Sequence, residues 1–87
     1  MTRDPEFFVE EAELPLLYIA KKLKEALALE ELLTAAGVDY LVEPDTYKGG
    51  LIFASERIGA FFYVAQKQLE LAHQVLRRNN FKPYENS

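Results

Sequence analysis

Ala60-Phe61-Phe62-Tyr63-Val64-Ala65 is six apolar residues in a row, three of them aromatic. Its length and its aromatic and β-branched content are those of a strand. Successive side chains of a strand point to opposite sides, so this one is apolar on both faces and both must be covered. Leu16-Leu17-Tyr18-Ile19-Ala20 has the same character, and Pro15 before it disfavours helix. These two runs belong at the centre of a sheet.

Working outward, residues 21–36 hold no Gly or Pro, are rich in Leu, Ala, Glu and Lys, and stop at Gly37, which predicts a helix with a glycine just past its end. Ala26, Leu29, Leu33 and Ala36 share one stripe, with Leu32 on its border. Leu23 and Leu27 lie to one side near Glu30, so the apolar surface is wider than one packing seam requires. Residues 38–43 alternate, with Val38, Tyr40 and Val42 opposite Asp39, Leu41 and Glu43, and one wet face places this strand at an edge. Pro44, Asp45 and Gly49-Gly50 predict a turn, residues 51–54 a short extended piece and residues 55–59 a second turn. Residues 66–80 form a second helix, with Ala65, Leu69, Ala72 and Leu76 in line, Arg77 and Arg78 at its negative end and Asn79-Asn80 as the stop. Residues 81–84 could add a last strand, confined to an edge by Pro83.

The order is βαββαβ, and a ferredoxin-like sandwich fits it: an α+β fold with a mainly antiparallel sheet and two helices on one face. Leu17, Ile19, Phe62 and Val64 then point to the helices. Leu16, Tyr18, Ala20, Phe61, Tyr63 and Ala65 point away, onto a helix-free face of order 300 Å². Three covers are open: the N-terminal arm, a second subunit, or a ligand with flat apolar faces. Residues 1–13 read as that arm, acidic apart from the cluster Phe7, Phe8 and Val9, and mobile unless the two phenylalanines dock. Residues 14–87 read as one domain.

Composition narrows the function. The 87 residues are 49% apolar and 28% charged, with no Cys and no Trp. The missing Cys removes disulfides, thiol chemistry and cysteine-based zinc sites. No apolar run approaches the ~18 residues of a membrane span, and the start lacks the basic flank of a secretory signal, so a cytoplasmic protein without a membrane partner is expected. The net charge of −4 opposes nonspecific binding to phosphate backbones.

Tyr18 to Gly50 carries, in order, Leu17-Tyr18-Ile19-Ala20, then Glu25-Ala26 with Leu29, Leu32 and Leu33, Ala36-Gly37-Val38, Glu43 and the stretch Tyr47 to Gly50. Phe62-Tyr63-Val64 and a helix with Glu70, Ala72 and Leu76 follow. This pattern resembles a small bacterial domain family described as signal-transducing and grouped by fold with the nitrogen-regulatory PII proteins. The resemblance covers about 65 residues, a normal span for one small domain. It implies the ferredoxin-like fold, regulatory binding without known catalysis, and effector binding at subunit junctions. Two departures stand out: Gln66, Lys67 and Gln68 where members often have an acidic helix start, and the acidic arm itself.

Catalysis finds few candidates. A hydrolase or transferase needs a nucleophile, a base and an orienting group within reach, and the chain offers one His and two Ser. His73 reads as a flank residue of the second helix. Gly49-Gly50 lacks the Lys-Ser/Thr ending of a phosphate loop, and no calcium-loop spacing is present. No enzyme activity, cofactor or metal is expected. Instead the chain reads as a regulatory or protein-interaction module that self-associates, as a homodimer or higher homo-oligomer, through Leu16, Tyr18, Leu41, Phe61 and Tyr63 on the helix-free face, since aromatics carry most interface energy. Asp45, Tyr47 and Lys48 of the expected turn are loop contacts for a protein partner. Lys21 and Lys22, at a helix start where Lys opposes the dipole, are anion contacts for a small-molecule effector. The alternative is a single-stranded RNA-binding domain, with Tyr18, Phe61 and Tyr63 as a stacking platform. It must succeed without a basic groove.

Overall fold

In the computed structural model, which describes residues 1–9, 13–49 and 55–84, the run around Phe62 is the middle of a three-stranded antiparallel sheet. The strands are β1 (Leu16–Ala20), β2 (Tyr40–Gly49) and β3 (Ser55–Val64), in the order β1-β3-β2. Helix α1 (Leu23–Ala35) follows β1, and α2 (Leu69–Arg78) follows β3 after a single 3-10 turn, Gln66–Gln68. The fold is α+β. Among the described residues no helix is long and apolar enough to cross a membrane.

Both helices pack on one side of the sheet. Leu29 and Leu33 of α1 and Ala72 and Leu76 of α2 close over Leu17, Tyr40, Phe62 and Val64, all buried. Each helix ends as its sequence dictates. After α1, Gly37 takes φ +76°, and the Val38 and Gly37 amides donate to the carbonyls of Leu33 and Thr34 (2.9 and 3.1 Å). After α2, Asn80 takes φ 64°, with the Phe81 and Asn80 amides donating to Leu76 and Arg77 (2.9 and 3.3 Å). Both are the paired-bond stop that a left-handed residue permits. Gln68 ties the two ends of the layer together: its Oε1 accepts from the Asp39 amide and its Nε2 donates to the Gly37 carbonyl (3.1 and 3.3 Å).

Three expectations change. First, β2 and β3 pair without interruption from Tyr40↔Val64 to Gly49↔Ser55, so Pro44, Asp45, Tyr47 and Lys48 and the stretch from Ser55 to Gly59 are strand, where turns were expected. Local turn propensity yields to a register that keeps alternation intact on both strands. Pro44 is tolerated because β2 is an edge strand and needs no donor there. The expected extended piece at 51–54 and Gly50 lie outside the described residues. Second, residues 81–84 are irregular, and their backbone tie to β1 is one bond, from the Tyr84 amide to the Leu17 carbonyl (2.8 Å). Pro83, which has no N–H, interrupts any ladder there.

Third, β1 carries a bulge. Leu16 pairs with Tyr63 but Tyr18 pairs with Phe62, leaving Leu17 as the extra residue. A one-residue slip turns every later side chain to the other face. Tyr18 and Ala20 therefore join Leu17 on the helix side, and Ile19 opposes Phe61 on the helix-free side. Tyr18 packs edge-to-face on Phe81, ring centres 5.4 Å apart.

Candidate interaction face

The helix-free face carries Leu16 and Ile19 from β1, Phe61 and Tyr63 from β3, and Leu41 and Glu43 from β2, set opposite one another by the pairing. Four of the five residues expected at an interface are thus together: Leu16, Leu41, Phe61 and Tyr63. Tyr18 is not, for the reason of the bulge.

The N-terminal arm runs along the outer edge of β2 and then turns onto this face, held by backbone and side-chain bonds. The terminal ammonium donates to the Val38 carbonyl, the Tyr40 amide donates to the Met1 carbonyl (3.0 Å), and the Arg3 amide donates to the Tyr40 carbonyl (2.7 Å). Thr2 and Tyr40 form a parallel bridge. The Arg3 guanidinium pairs with Asp39 Oδ1 at 2.8 Å and lies 4.5 Å from the centre of the Phe7 ring. A 3-10 turn, Pro5–Phe8, then delivers Phe8 onto Leu41 and Ala65, flanked by Leu14 and Tyr63. Phe8 is 5% exposed. Of the three covers left open by the sequence, the chain's own arm is in place.

Beside Phe8 the cover is incomplete. A cleft of about 470 Å³ opens between the arm and the sheet, with Pro5, Phe8, Val9, Leu14, Leu41 and Tyr63 as its apolar lining and Glu13 and Glu43 at its rim. Burial pushes the Tyr63 hydroxyl above the usual tyrosine range, and the nearby carboxylates of Asp45 and Glu43 push it further. The field at the cleft is negative, which favours a cation. Phe7 and Val9 on the arm stay exposed.

Asp45 and Tyr47 lie in β2 rather than on a loop. The Tyr47 ring covers Gly59, where an added Cβ would meet Tyr47 Cε1 at 3.0 Å, an Ile19 methyl at 3.1 Å and the Ala20 carbonyl oxygen at 3.2 Å. Lys21 rests its ammonium 5.3 Å from the centre of the Tyr47 ring, and Lys22 is exposed at the N-cap of α1. Sequence reasoning missed a second grouping at the β1 edge, where Tyr18, Lys21, Glu25 and Tyr47 meet Lys82 and Tyr84 around a shallow cavity of about 580 Å³. Its only advance signal was the short apolar end near Pro83 that seeks the edge of β1. Burial, and then Glu25, raise the Tyr18 hydroxyl's pKa.

The geometry also bears on other chemistries. An RNA platform needs Tyr18, Phe61 and Tyr63 open on one face; Tyr18 is on the other, and Phe61 is 8% exposed. Among the described residues no three His, Asp or Glu side chains converge to hold a metal ion. Compared with protein-family models, curated proteins and solved structures, the chain matches none.

Proposed function

We propose that this protein is a non-enzymatic regulatory or protein-interaction module, built as a ferredoxin-like sandwich short of its last strand, that takes a protein partner on its helix-free face beside its own arm. One observation carries the reading: an apolar cleft bounded by Phe8, Leu41 and Tyr63 and rimmed by Glu13 and Glu43 stays open although the arm is docked. Apolar lining with an acidic rim suits a segment that presents a Leu or Phe next to Lys or Arg. Self-association across this face, the first expectation from sequence, has less support than a foreign partner. An isologous contact would bring the acidic set Glu13, Glu43 and Asp45 against the same acidic set of the copy, and like charges across an interface are costly. Kinship with the PII-like signalling domains and a cytoplasmic setting belong to the same proposal and rest on the sequence.

Selection from a displayed random-peptide library, followed by NMR mapping of the winners, tests it. The expected winners pair basic with large apolar residues, shift Leu41, Tyr63 and Phe8, and bind at least tenfold more weakly to Glu43→Lys. Winners that map away from this face, or no winners at all, would overturn it. Salt-sensitive binding of a short single-stranded RNA, lost on Phe61→Ala, would instead favour the RNA reading.

A further inference from the structure

We infer that α1 is a self-association surface, on which two copies of this chain pack their first helices antiparallel about a twofold axis between Leu27 and Ala28. α1 is apolar around most of its circumference. Ala26, Leu29 and Leu33 are spent on the core, yet Leu23 remains 75% exposed and Leu27 54% exposed on the outer side. A helix with apolar residues on both sides is built to be covered on both.

The charges on that outer side say by what. Lys24 and Glu31 are both exposed and, seven residues apart, stand almost on one line along the helix. Leu23 and Leu27 lie to one side of the line, and Ala28 and Ala35 to the other. Neither charge has an opposite charge three or four residues away on α1, the spacing at which a helix satisfies its own charges. An antiparallel copy supplies both: position i then lies level with position 55 − i of the copy while each flank meets itself, so on the central line Lys24 faces Glu31 of the copy and Glu31 faces its Lys24. The same operation brings Leu27 beside Leu27 and Ala28 beside Ala28, leucines filling one flank while alanines allow close approach on the other. A patch that is its own complement in charge and in shape is what an isologous contact requires.

Size sets the strength. Thirteen residues span about 20 Å, and a groove of about 920 Å³ between α1 and the segment carrying Asn79 and Phe81 extends the contact. A contact of this length falls at or below the low end of specific interfaces, about 1,200 Å² in total, so the dimer should be concentration-dependent.

Sedimentation equilibrium of the full chain from micromolar to millimolar concentration is the test, with circular dichroism to confirm folding. The wild type should rise from 10.0 kDa towards twice that mass. Lys24→Glu alone and Glu31→Lys alone should each weaken association at least tenfold. The double variant should recover it, because exchanging the two charges preserves the complement. A wild type that stays monomeric throughout would overturn the inference. So would a dimer indifferent to both single reversals, or one that the double variant fails to restore.

Discussion

Replacing Phe8 by Ala tests whether the arm is part of the fold. The ring is almost fully removed from water against Leu41 and Ala65, which is worth about 1.5–3 kcal/mol. Its edge-to-face contact with Phe7, 5.0 Å between centres at 83°, adds about 0.5–1.5 kcal/mol where such pairs are formed. The loss is bounded above, because an arm that has lost its anchor can leave the sheet and regain conformational freedom. We expect about 2–3 kcal/mol, below the ~3–5 kcal/mol of a Phe deleted from a closed core. With a urea m of about 1 kcal/mol/M for a chain this small, the midpoint falls by about 2–3 M. Amide exchange gives the local readout: the Arg3 amide, bonded to the Tyr40 carbonyl, and the Tyr40 amide, bonded to the Met1 carbonyl, should both lose protection. A stability change under about 0.5 kcal/mol, the ordinary effect of a surface substitution, with Arg3 exchange unaltered, would refute the argument that Phe8 anchors the arm.

Alkaline pH and a crowded glycine give two further expectations. Burial raises the hydroxyl pKa of Tyr18, Tyr40 and Tyr63 above the free value of 10.0. The unfolded chain then loses those protons first, and stability, complete below pH ~10, declines as pH rises through the folded values. Urea midpoints at increasing pH should fall in step with tyrosinate absorbance, and Tyr63→Phe should flatten the decline; a flat profile in the parent protein would contradict this. Gly59→Ala should cost about 1–3 kcal/mol, as overpacking does, because the Ala20 carbonyl oxygen cannot swing aside as the Tyr47 ring can. Thermal unfolding measures it, and an unchanged midpoint would mean that the strands part freely at Gly59.

The helices, their stops and the antiparallel centre were legible because each rests on local chemistry that tertiary contacts reinforce. Gly37 and Asn80 end helices through left-handed backbone that few residues adopt readily. Phe62 and Val64 face the helices as simple alternation requires. Tyr18 was misread because nothing in Leu16-Leu17-Tyr18-Ile19 announces a bulge: every residue is apolar, so either register buries something. The long β2–β3 ribbon was hidden by Pro44, Asp45 and the glycines, which signal turns locally. Its trace was the strand propensity of Thr46 and Tyr47. The arm's anchor, by contrast, was visible as Phe7-Phe8, but which of the two would be buried was set by the 3-10 turn at Pro5–Phe8.

The outer margin of β2 has a consequence for life at high concentration. Strand margins with free amides recruit neighbouring chains into fibrils. Here the Tyr40 amide is taken by Met1, Pro44 has no hydrogen to offer, and the Thr46 amide turns to the Asp45 carboxylate at 2.7 Å. Three docking points for a stray strand, at Tyr40, Pro44 and Thr46, are thereby withdrawn, and the proline that looked like a chain reversal serves as a guard against amyloid growth.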